Sequence, residues 1–246
     1  MDHPDLAVPA EEPVSAPKTF PGILAAIGWI VLYFLLQGLL TAIILVAATG
    51  RTNVTPTDNP ASIIWGLVAS AIVQLGLMSF YLRKDGRLQQ IGLTHFGRIS
   101  FGRATGLAVM LVVAAMIFNY LYATFAIPGI GMQEDMAKML ASIPRTPLNM
   151  AAGFVAIAIA APIVEELLFR GLLQNALAKY MPIWGAIIGA SFLFSLVHLQ
   201  PYAIPGLMSL SIAFGYLYHR TGSLRTNIIL HMANNALALL LTQSIG

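Results

Sequence analysis

Seven long apolar runs leave this 246-residue chain few ways to fold. They fall at about 22–48, 63–82, 104–127, 149–180, 183–198, 204–218 and 224–241. A run of roughly 20 apolar residues matches a hydrocarbon layer about 30 Å thick. Lipid satisfies no backbone polar group, so each run has to close its own hydrogen bonds as a helix. Composition agrees, since 58% hydrophobic against 9% charged residues is the balance of a polytopic membrane protein. Cysteine is absent, which removes disulfides, a thiol nucleophile and Cys-ligated metals. A net charge of +3 spread over loops gives no footprint for nucleic acid. The expected fold is an all-α, polytopic transmembrane helical bundle of about seven spans.

Loop charges set the orientation. Arg83, Lys84, Arg87, Arg98 and Arg103 stand against a lone Asp85, so the positive-inside rule places that loop, and with it the N-terminus, in the cytoplasm. His95 within it reads as a solvated loop residue, and the loop as a topology signal. His219, Arg220 and Arg225 mark a second cytoplasmic turn. Residues 1–20 combine four acids with Pro4, Pro9, Pro13 and Pro17, the composition of a disordered tail rather than a signal peptide. Residues 21–148 then supply three spans, with a short surface piece near 132–143, and 149–241 supply a four-span core.

That core holds what hydrocarbon should not contain. Of ten acidic residues only Glu165 and Glu166 lie inside an apolar run, and an ionisable group at membrane depth costs roughly 2.5–3.5 kcal/mol and marks function by default. Glu166 and Arg170 are i and i+4, so they face each other and neutralise, leaving Glu165 about 100° around the helix. Of five histidines only His198 and His231 sit well inside apolar runs. Counting from the turn at Met181-Pro182, Glu166 lies about 21 Å back along its helix and His198 about 22 Å along the next. His231 lies about 15 Å from the turn at Thr221-Gly222. The levels agree, and Asn235 shares a helix face with His231, where either can donate to an oxyanion. Taken singly, each has a plainer reading: His198, His231 and Asn235 as interhelical hydrogen bonds, Glu166–Arg170 as a structural ion pair.

These residues resemble the CPBP intramembrane proteases, also called the Abi or CAAX prenyl protease 2 family. The signature E-E-x-x-x-R, F-x-x-x-H and H-x-x-x-N appears here as Glu165-Glu166-Leu-Leu-Phe-Arg170, Phe194-Ser-Leu-Val-His198 and His231-Met-Ala-Asn-Asn235, in that order. The resemblance covers about residues 149–240. It implies an intramembrane endopeptidase of the prokaryotic plasma membrane, open to the cytoplasm and acting on membrane-associated protein or peptide substrates, prenylated CAAX-type proteins among them. It further implies Glu165 as general base, His198 as its partner in holding water, His231 and Asn235 as oxyanion donors, and Glu166 with Arg170 as the orienting pair. Glu165, His198 and His231 would also be the ligands of a Zn²⁺, although H-E-x-x-H is missing and a metal-free glutamate mechanism suits the same residues. The missing motif also sets the chain apart from site-2-type proteases, and the lack of membrane aspartates from presenilin-type ones. Gly189-Ala190-Ser191 lacks the next glycine of the rhomboid motif and reads as a small-residue packing patch. Two other classes fit the same segments: a non-catalytic bacteriocin-immunity or scaffold protein binding a partner, and a small-ion transporter.

Overall fold

A computed structural model describes residues 22–130, 138 and 140–244. The tail at 1–20 and most of the surface piece near 132–143 lie outside the described residues. The long helices are α1 (Ile23–Thr49), α2 (Ala61–Leu82), α4 (Phe101–Phe125), α5 (Pro147–Leu177), α6 (Ile183–Leu196), α7 (Ile204–Thr221) and α8 (Leu224–Ser244), with a single turn α3 (Arg87–Gln90) between α2 and α4. Each of the seven apolar runs is thus one helix, with ends within a few residues of those read from hydropathy. By length and composition α1, α2, α4 and α5 are four candidate membrane spans, and α6 is apolar but has only 14 residues.

Local chemistry explains the ends. Thr146 caps α5 by accepting from the Asn149 N–H at 3.2 Å, with Pro147 at the first helical position, where its missing N–H costs nothing. Ser100 caps α4 in the same way, through the Arg103 N–H. Gly222 closes α7 in the left-handed conformation (φ 64°), its N–H returning to the Tyr218 carbonyl at 2.8 Å.

Helix α5 is the hub. Its best apolar window is 56% buried, against 17% for α1, 33% for α2 and 17% for α4, so the other three turn most of their surface outward. Leu24, Leu35, Phe80 and Phe125 are exposed on those outward faces, as lipid contact requires. Around α5, helices α2 and α8 pack on its first half and α1 and α6 on its second, while α7 lies against α6 and α4. Helices α1 and α2 pack tightly at Gly66, where a Cβ would collide with the side chain and Cα of Thr41.

The basic loop after α2 carries more than charge. It is tied to the α7–α8 turn by the Arg98 N–H to the Thr221 carbonyl (2.8 Å), Ser223 Oγ to the His95 carbonyl (2.6 Å) and Thr226 Oγ1 to the Phe96 carbonyl (2.8 Å). The His95 side chain itself is exposed. Gly92 (φ 67°) meets the Gly222 carbonyl so closely that no side chain fits there.

Gly66→Ala should destabilise the protein by about 1–3 kcal/mol through overpacking, read as a lower Tm in detergent. Gly76→Ala, in the same helix but facing open space, should leave Tm unchanged or slightly raised.

Candidate functional site

Helix α5 is not uniformly α-helical. It winds as π-helix over Val155–Ala160 and again over Glu166–Gln174, on either side of an α-turn, Ala161–Glu165, that contains Pro162. A proline in mid-helix removes a donor and pushes on the preceding turn, and widened turns are one way a helix absorbs it. Such segments are frequent at functional sites. All nine residues of the second π segment are buried, among them Glu166, Arg170 and Gln174.

The Glu166 carboxylate has no solvent exposure, and both its oxygens are engaged. Oε1 forms an ion pair with Arg170 Nη1 at 2.9 Å and receives His231 Nδ1 at 2.9 Å, while Oε2 receives Asn227 Nδ2 at 2.6 Å. Arg170 continues outward, donating from Nη2 to the Ser211 carbonyl (2.9 Å) and Ser211 Oγ (3.0 Å) on α7. Its guanidinium also lies 5.3 Å from the Phe194 ring centre and 6.0 Å from that of Phe214. One turn on, Gln174 Nε2 donates to the Gly215 carbonyl at 3.1 Å. Asn175 Nδ2 adds a bond to Tyr218 Oη at 2.8 Å, so Arg170, Gln174 and Asn175 fasten α5 to α7, while the Glu166 carboxylate ties it to α8.

His231 is held from two directions. Its ring stacks on Phe214 with centres 4.5 Å apart and planes 23° apart, and an ionised Glu166 can only accept, so Nδ1 carries the hydrogen. That turns Nε2 toward Glu165, whose Oε2 stands 3.9 Å away, beyond direct hydrogen-bond reach but within span of one bridging water. The neighbouring glutamates thus separate in environment. The Glu165 side chain is 19% exposed where that of Glu166 is 0%, so only Glu165 can meet a solvent molecule or a substrate.

The remaining sequence candidates sit close by with other attachments. His198 Nδ1 bonds the Phe194 carbonyl of its own helix at 2.7 Å, and its ring rests 4.7 Å from the Phe194 ring. Phe194 packs edge-on against Phe169 and under Arg170, which sets His198 on the same flank of α5. Among the described residues His198 makes no hydrogen bond or ion pair with Glu165 or His231. Asn235 Nδ2 donates to the Ile157 carbonyl at 3.1 Å, and its Oδ1 accepts from Asn234 at 3.3 Å.

A zinc site would need three of these donors aimed at one point. Among the described residues no three His, Cys, Asp or Glu side chains are so placed, and the triad Glu165, His198 and His231 does not fit the ion in this arrangement. Asn227 is the Glu166 partner that sequence reading passed over. It precedes His231 as His231 precedes Asn235, four residues apart on one face of α8, and that spacing was the available signal. Ser211 had none, because half of what it offers Arg170 is a backbone carbonyl.

Residues 147–237 match the family of type II CAAX prenyl endopeptidase, Rce1-like. UPF0177 protein YaiF of Lactococcus lactis subsp. lactis (strain IL1403) is 39% identical over 85 residues, which is 34% of this chain and 38% of that protein. The chain therefore spans little more than a third of that relative's length. "Putative membrane peptidase YdiL" of Bacillus subtilis (strain 168) is 25% identical over 224 residues, 86% of each chain. No solved structure matches. The stretch that holds every candidate site residue is the stretch that is similar to the Rce1-like CAAX prenyl endopeptidases.

Proposed function

We propose that the protein is an intramembrane endopeptidase in which Glu165 activates water against a peptide bond of a membrane-associated substrate, CAAX-type C-termini being the first class to try. The observation that carries this is the division of labour between adjacent carboxylates: Glu166 is saturated and sealed, while Glu165 is accessible and faces a fixed imidazole nitrogen. The family match over residues 147–237 supports the reaction class. The basic loops support a seven-span arrangement, α6, α7 and α8 being the shorter crossings, with the N-terminus and the site's opening on the cytoplasmic side of a prokaryotic plasma membrane.

In this reading a water lies between Glu165 Oε2 and His231 Nε2. Glu165 takes one proton as the oxygen adds to the carbonyl carbon, and returns it to the departing nitrogen when the C–N bond breaks. His198, in the turn that follows α6, bounds the water on that side. His231, when both nitrogens are protonated, offers Nε2–H to the oxyanion from a ring that Glu166 and Phe214 keep from turning. Glu166, Arg170 and Asn227 act through His231.

Glu165→Gln in proteoliposomes should lower cleavage of a prenylated CAAX peptide by about 10²- to 10⁴-fold, with KM little changed, as followed by mass spectrometry of the released fragment. A wild-type rate in that variant would remove the glutamate mechanism, whereas protection in a bacteriocin assay that survives Glu165→Gln and His198→Ala together would return the immunity or scaffold reading. Arg170→Ala, which leaves a buried carboxylate short of its cation, should cost about 3–5 kcal/mol and be seen as a large drop in Tm. Pairing it with Glu166→Leu should recover much of the stability and none of the activity, because His231 then has no acceptor for Nδ1.

A further inference from the structure

The first π segment of α5 leaves a particular atom unserved. At its end the Ala161 N–H returns five residues to the Ala156 carbonyl. The next bond in that register would join the N–H of residue 162 to the Ile157 carbonyl. Residue 162 is proline and has no N–H, so the Ile157 oxygen has lost its intrahelical donor. Prolines persist in membrane helices where neighbouring elements satisfy the freed groups. Here the neighbour is Asn235, whose Nδ2 reaches that oxygen from α8 at 3.1 Å.

We propose that Asn235 is a positioning residue, supplying from α8 the hydrogen bond that Pro162 denies to α5 and so fixing the junction of π and α turns that aims Glu165 at His231. The placement supports it. Asn227, His231 and Asn235 form one face of α8, and each is bonded to α5: the first two to Glu166, the third to Ile157. Those contacts bracket Glu165, which lies three residues past Pro162 on the turn between them. The α5 backbone is thereby held on both sides of the accessible carboxylate, and the Asn235 amide hydrogen in that bond is withdrawn from any oxyanion. The inference about Asn235 rests on the proposed catalytic reading only for its activity measurement.

The test is a double-substitution cycle, because Pro162→Ala restores the missing N–H and should make Asn235 dispensable. In the proline background Asn235→Ala should lower Tm in detergent and reduce kcat by about 10- to 100-fold with KM little moved, the signature of a misaimed group. In the Pro162→Ala background the same substitution should leave Tm unchanged, and kcat within about threefold of Pro162→Ala alone. If Asn235→Ala fails to fold, folding of the double variant supports the proposal, and failure of both overturns it. Additive Tm losses overturn it as well. A double variant that is stable but as inactive as Asn235→Ala makes Asn235 an oxyanion donor instead. Should the wild type cleave nothing, the Tm cycle still decides the positioning role, so the two readings fail separately.

Discussion

A carboxylate sealed from water within an apolar bundle has to be compensated by the chain itself, and the Glu166 carboxylate is where this fold meets that demand. Withdrawing such an ion costs several kcal/mol even after relaxation, and only well-aimed partners return it. Arg170 supplies the opposite charge from the same helix, and Asn227 and His231 supply donors from α8. Arg170 in turn needs its other hydrogens met, which brings in Ser211 on α7. One buried charge therefore fixes the register of three helices against each other. Apolar packing alone would tolerate a slide between such helices; this set of partners does not.

In the proposed mechanism the same compensation sets up the reactive group next door. Because successive residues on a helix point about 100° apart, sealing Glu166 leaves Glu165 turned to a different quarter. His231 links the two: its Nδ1 is spent on the structural glutamate, and its Nε2 is presented to the accessible one. A ring clamped in this way cannot flip to another tautomer without breaking the Glu166 bond, so the group facing Glu165 is set before any substrate arrives. Preorganisation of this kind lowers the cost of reaching the transition state.

Much of this was legible in the residues. Hydropathy alone located all seven long helices, because apolar length and turn chemistry such as Gly50, Met181-Pro182 and Gly222 act locally. The i, i+4 pairing of Glu166 with Arg170 follows from helix geometry and holds, and the depth argument brings His231 to the glutamates as expected. Other features depended on the tertiary arrangement. His198 was expected to partner Glu165; spacing did not show that its Nδ1 is engaged by the Phe194 carbonyl one turn back, a bond that orients the ring. Asn235 was grouped with His231 as an oxyanion donor since they share a face; what spacing did not show is its bond to the Ile157 carbonyl of another helix. Hydropathy does not reveal π winding, so the orphaned carbonyl at Ile157 was invisible. The tie between the basic loop and the α7–α8 turn rests largely on backbone carbonyls, which carry no residue signature.

Pro162 and the two glutamates belong to one arrangement. A straight α-helix through hydrocarbon needs nothing from its neighbours for its backbone; the interrupted α5 has to borrow. Its loans come from a single face of α8, the face that also carries the imidazole opposite Glu165. Any motion that drew α8 away would expose the Ile157 carbonyl and the Glu166 charge together, both in a medium that solvates neither. Separation of the two helices is thus penalised twice, at points on either side of Glu165. The accessible carboxylate sits on the stretch of α5 that is held from both ends, which is how a reactive group can be left open to water in a bundle otherwise closed to it.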